Sequence, residues 1–113
     1  MLIKKSEARK KQNNKDCTVW EYEFPTKEFN HATTYIHGRY PEHAKAMNKN
    51  CEEIYFVISG SGSIHSEKGN FEINEGDAYF FEKGEIYWVE GKELLLTITN
   101  APKWNPQQHK MIE

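Results

Sequence analysis

In the segment MNKNCEEIYFVISG, Met47 to Gly60, two adjacent carboxylates, Glu52 and Glu53, stand at the head of an apolar run, with Met47 and Lys49 just upstream. A carboxyl drawn into an apolar interior loses solvation, and its pKa climbs toward the neutral range where a side chain can serve as base or acid. Glu53 is the first candidate for that work. His37 and His43, flanking the Gly38-Arg39-Tyr40-Pro41 turn, are alternative bases, and Tyr87 is a candidate acid. His31 follows a polar turn, His65 precedes a hairpin tip and His109 lies in the tail, and none of these three is assigned a role. Cys51, next to the Glu pair, reads as a buried structural thiol.

Short strands must position these groups. Past residue 16, segments of four to seven residues rich in Val, Ile, Tyr, Phe, Trp and Thr recur between turn signals, over Thr18 to Phe24, Ala32 to His37, Ile54 to Ser59, Gly62 to Ser66, Asn70 to Ile73, Ala78 to Phe81, Ile86 to Glu90 and Leu94 to Thr99. No helical period competes, so the spacing predicts an all-β sandwich or barrel. Side-chain parity places Glu53, Tyr55, Val57 and Ser59 on one face of a strand and Ile54, Phe56 and Ile58 on the other. Both faces are largely apolar. A strand covered on both sides, with Leu94-Leu95-Leu96 repeating the pattern, predicts a homodimer.

A chain of 113 residues fits one domain with a real core. Only 37% of residues are apolar, but 13% are aromatic, and large rings supply core area from few positions. A formal net charge of -2 argues against nucleic acid as a partner, since phosphate binding needs surplus Lys and Arg. The charge is uneven, because Lys4, Lys5, Arg9, Lys10, Lys11 and Lys15 crowd residues 1 to 16, which read as a solvated basic arm or short helix ahead of a single domain over residues 17 to 113. No apolar run is long enough to span a membrane, and the charged N-terminus has no apolar segment after it. With Cys17 and Cys51 isolated and fitting reduced thiols, a cytoplasmic location is expected.

The segment EEIYFVISGSG closely resembles the first motif of the cupins, small β-barrels with jelly-roll topology: Glu53 is followed by six residues and Gly60, as in that family. Gly76-Asp77-Ala78-Tyr79-Phe80-Phe81-Glu82-Lys83-Gly84 keeps both glycines of the second motif at their spacing. The resemblance covers about residues 32 to 99 and implies that Glu53 and Tyr87 point into the barrel, with Tyr55, Val57 and Val89 beside them. Three of the family's four metal ligands are replaced. Met47-Asn48-Lys49 stands where the family has His-x-His, a one-residue shift would give Ala46 and Asn48, and Tyr87 replaces the histidine of the second motif. These positions cannot form an ordinary metal site, so no metal and no cofactor is expected.

What remains is a pocket of rings and a few polar groups, with Met47, Lys49, Glu53, Tyr55, Tyr87, His37 and His43 as its expected lining. The resemblance therefore implies a metal-independent binding protein for a sugar or small organic acid, with Lys49 or Arg39 pairing an anionic group. Two alternatives stay open: a metal-free isomerase or epimerase acting on a keto-sugar, with Glu53 and Tyr87 as catalytic pair, and a metal-dependent cupin using His37 or His43 as displaced ligands. A sensory domain is a third. No helix-turn-helix follows, so DNA readout is not encoded, and Trp104 is expected to pack the tail against the barrel.

Overall fold

In a computed structural model describing residues 1–113, nine strands form one curled, barrel-like sheet: β1 (Arg9–Asn14), β2 (Cys17–Tyr22), β3 (Asn30–Tyr40), β4 (Lys45–Asn48), β5 (Glu52–Ser66), β6 (Gly69–Asn74), β7 (Ala78–Phe81), β8 (Ile86–Ala101) and β9 (His109–Ile112). All pairings are antiparallel. The all-β architecture expected from strand spacing is the one observed. No helix is long and apolar enough to cross a membrane.

Two long strands hold the barrel together. β8 pairs with β5 along nearly its whole length, and its other edge carries β3 and then, past the turn after Tyr40, β4. The breaks expected after Ser59 and after Glu90 fall inside these continuous strands, with register shifts between Val57 and Ser61. Gly60 sits at φ +80, and a Cβ there would lie 1.9 Å from the Glu93 carbonyl oxygen, so the close strand approach requires glycine.

The basic N-terminal stretch differs from the expected arm or helix. Only Lys5–Glu7 form a single 3-10 turn, while Arg9–Asn14 zip onto β2 with Arg9 opposite Glu21 and Lys11 opposite Val19. As the sheet's outer edge, this strand is charged because an edge exposed to solvent must resist pairing with other chains. Alternation alone does not reveal a strand of the type RKKQNN.

Parity on β5 is as read as far as Ile58, with Glu53, Tyr55 and Val57 buried and Ile54, Phe56 and Ile58 exposed, but the register shift after Val57 leaves Ser59 exposed rather than on the inner face. The inner face joins Ile36, Ile64, Phe81, Val89, Leu94 and Leu96 in one core cluster. Phe81 anchors its aromatic part, with the Tyr55 ring edge-on at 4.8 Å and the Tyr87 ring at 4.4 Å. Cys17 and Cys51 are both buried free thiols.

Candidate functional site

The core does not fill the barrel. A cavity of about 840 Å³ opens between β1, β2, β3 and the C-terminal segment, reaching down to Glu53, Tyr55 and Tyr87. Register explains which side chains reach it. Glu53 lies opposite Asn100, Ala32 opposite Ile98 and Tyr40 opposite Val89, so β3, β5 and β8 turn these residues to the same interior.

Glu53 is 5% exposed and accepts three hydrogen bonds. Asn100 Nδ2 donates to Oε1 at 2.9 Å, while Asn48 Nδ2 and the Tyr87 hydroxyl donate to Oε2, each at 3.3 Å. Burial raises its pKa and the three donors pull it back, leaving it at about 7. The carboxyl is thus divided between two protonation states at neutral pH. Burial, reinforced by the charge of Glu53, holds the Tyr87 and Tyr55 phenols well above the ordinary tyrosine range. Both keep their protons, and Tyr87 donates its own to Glu53.

A second network is built around Asn48, whose Oδ1 accepts from Trp104 Nε1 at 3.1 Å, Gln108 Nε2 at 3.0 Å and His109 Nδ1 at 2.9 Å. Gln108 Oε1 in turn accepts the Asn50 backbone N–H. His109 Nε2 lies 3.0 Å from the Tyr40 hydroxyl. Burial, and then the nearby charge of Lys11, hold the His109 imidazole below its ordinary value. Trp104 is thus a hydrogen-bonding member of the site, and its ring also lies 5.7 Å from the Lys11 ammonium. Deeper in, Thr34 lines the cavity with a buried hydroxyl that has no hydrogen-bond partner.

Of the seven residues expected to line the pocket, Glu53, Tyr55 and Tyr87 come together in the cavity. The others do not. Met47 lies on the face of β4 opposite to the buried Ala46 and Asn48, because the strand register is the one-residue shift, and Lys49 is exposed just past the strand's end. His37 is exposed, with its Nδ1 accepting the Glu93 backbone N–H at 3.0 Å, and His43 is exposed in the turn before β4. Arg39 points away from the cavity, donating to the Pro41 and Ala44 carbonyls. Sequence reading missed Asn48, Asn100, Thr34, Tyr40 and His109. Only Asn48 left a signal, as the shifted reading of the first motif.

These residues do not fit the metal implied by the fold. At the two β4 positions that face inward stand an alanine and an asparagine, the latter's oxygen already taken by three donors, and Tyr87 gives its hydroxyl to Glu53. No group of three or more His, Cys, Asp or Glu side chains converges anywhere in the chain. The displaced histidines His37 and His43 do not repair the set, being turned to solvent. At the mouth, Arg9 pairs with Glu21 and Glu23, and Lys103 pairs with Glu23, leaving Lys10 and Lys11 as the lining cations without a carboxylate partner.

Neither a family profile nor a curated protein sequence matches the chain. Solved structures do. The nucleoside dehydratase Pac13 from Streptomyces superposes with a TM-score of 0.89 over 100% of this chain and 91% of its own, at 14% identity. The ectoine synthase from P. lautus gives 0.74 over 100% and 91%, at 15% identity, and KdgF from Halomonas sp. gives 0.74 over 88% and 92%, at 12% identity. At such identities the likeness speaks for the backbone alone, and together with the two motifs around Glu53 and Gly84 it shows that this chain has the cupin fold.

Proposed function

We propose that the barrel binds a small polar molecule, sugar-bearing or an organic acid, without a metal, and that Glu53 exchanges a proton with it. The observation that carries this reading is a buried carboxyl with a pKa of about 7 at the base of a cavity of about 840 Å³. That volume suits a guest of nucleoside or disaccharide size. The unpartnered Thr34 hydroxyl supports it, since a buried polar group without a partner is costly unless a guest or water satisfies it. The half-buried ring of Trp104 lines the cavity and offers a face to a sugar or base. Pac13, of the same fold, has been solved with uridine, which makes nucleosides the first class to test.

Isothermal titration with uridine, D-ribulose, D-fructose and pyruvate, run beside elemental analysis of protein purified without chelator, tests the reading. Binding by at least one probe, lost in Glu53→Ala, with no transition metal at stoichiometric level, is the expected result. A stoichiometric transition ion would overturn the metal-independent part. A complete absence of binding would remove the sugar-and-acid guest.

The second partner is another copy of this chain. Ile54, Phe56, Ile58 and Phe80 are all exposed, with Phe80 directly opposite Ile54, forming an apolar patch on the outer face of β5 and β7. Patches of this kind on a folded domain mark association surfaces. Two free buried thiols support a reducing compartment such as the cytoplasm.

A further inference from the structure

We infer that Tyr40 is a second proton-transferring group of the cavity, a base that passes its own proton to His109 as it takes one from the guest. The inference rests on the proton-exchange reading above and adds the partner that Glu53 needs.

Hydrogen-bond polarity forces the arrangement. The Trp104 indole nitrogen can only donate. Gln108 must present its amide nitrogen to Asn48, because its oxygen accepts the Asn50 backbone N–H at 3.1 Å. Both therefore require an oxygen at Asn48, which fixes the Asn48 amide with Oδ1 toward the C-terminal segment and Nδ2 toward Glu53. His109 Nδ1, 2.9 Å from that same oxygen, must then carry a proton. In the neutral imidazole Nε2 is left as an acceptor, and the Tyr40 hydroxyl, 3.0 Å away, donates to it.

The Tyr40 oxygen consequently offers lone pairs, not its proton, to whatever occupies the cavity it lines. A proton leaving a guest O–H or acidic C–H forms a new O–H bond at Tyr40 while the old phenolic O–H bond breaks toward His109 Nε2. No electrons change hands in the redox sense. His109 becomes an imidazolium still bonded to Asn48, and the electron pair left on the guest is neutralised when protonated Glu53 gives its proton to the departing or receiving atom. Exchange with solvent through the open mouth then restores both groups.

Burial holds the free Tyr40 phenol well above the ordinary tyrosine range, too high to act alone, which is why the imidazole is needed. The groups facing His109 are Lys11 from β1, Tyr40 from β3, Asn48 from β4 and Trp104 from the tail. Lys11 disfavours a standing positive charge there, keeping the imidazole neutral and ready to accept.

Two measurements on the full chain test this. Imidazole 15N spectra should show His109 as the Nδ1–H tautomer with a pKa below 6.5, rising in Tyr40→Phe because a donor to the neutral form is lost. An Nε2–H tautomer, or no response to Tyr40→Phe, overturns the pairing. Solvent-deuterium exchange into D-ribulose or D-fructose should fall by about 10²-fold or more in both Tyr40→Phe and His109→Gln, the range typical of one lost acid–base group. His109→Gln should also erase the acid limb of the exchange profile, which a merely structural histidine would leave in place. Wild-type exchange that survives Tyr40→Phe sinks the assignment of Tyr40 while leaving the role of Glu53 standing. No wild-type exchange in any probe sinks both.

Discussion

Trp104 donates its indole N–H to Asn48 Oδ1 across 3.1 Å, tying the C-terminal segment to the fourth strand at a distance of 56 residues along the chain. The same oxygen takes Gln108 and His109, so one asparagine closes the barrel's end and sets the orientation of the amide that touches Glu53. Replacing it strands three donors at once.

Asn48→Ala should therefore destabilise the fold by about 3 kcal/mol or more, since each buried donor left unpaired costs about 1–3 kcal/mol and relaxation recovers part of the sum. Trp104→Phe, which removes one donor and keeps most of the ring, should cost about 1–2 kcal/mol. Urea unfolding of both variants gives the comparison. Equal effects would mean that ring packing, not the shared acceptor, holds the tail.

Glu53 makes stability depend on pH in a direction opposite to that of an ordinary ion-paired carboxylate. Its pKa is raised from 4.5 to about 7, so the folded state holds the proton more tightly than the unfolded state does. Stability from this group is highest below pH 4.5 and declines as pH rises to about 7, by roughly 3 kcal/mol in total. In Glu53→Gln that decline should vanish, whatever the variant's absolute stability. Urea midpoints of both proteins recorded every half unit of pH would show it, and a wild-type curve running parallel to that of Glu53→Gln across the interval would contradict the raised value.

The outer face of β5 provides a test of association. Phe56→Lys places an ammonium in the middle of the exposed Ile54, Phe56, Ile58 and Phe80 patch, and a charge there is incompatible with a dry interface. Light scattering at micromolar concentration should give a dimer mass for wild type and half of it for Phe56→Lys. Because the position is exposed in the single chain, folding should be little changed. A wild-type monomer would end the proposal.

The sequence already carried the barrel and the deepest part of the site, for a physical reason. β5 and β8 alternate strictly around Glu53 and Tyr87, and buried strands of that kind advertise their register. β1, β4 and β9 do not. RKKQNN is a charged edge strand without apolar alternation, and KAMN and HKMI are four-residue strands whose pairing, β4 with β8 and with β9, joins segments distant in sequence, so nothing local announces them. That is also why Met47 and Lys49 were expected where Ala46 and Asn48 stand: four residues of β4 hold too little pattern to fix a one-residue register. Tyr40 and His109 lie 69 positions apart, and no spacing rule connects them.

Thr34 offers a test in which stability and binding move in opposite directions. Its hydroxyl is buried, 1% exposed, and makes no hydrogen bond, while the side chain lines the cavity floor. In the free protein that group is a liability, because desolvating a hydroxyl without a partner costs about 1–3 kcal/mol. Thr34→Val keeps the shape and removes the unmet group, so the free protein should gain up to about 1 kcal/mol in urea unfolding. If the hydroxyl is reserved for a guest, the same variant should bind that guest about 10-fold more weakly, one hydrogen bond's worth by titration calorimetry. Gains in both quantities would show that the hydroxyl serves no guest, and losses in both would show that it already has a partner inside the fold.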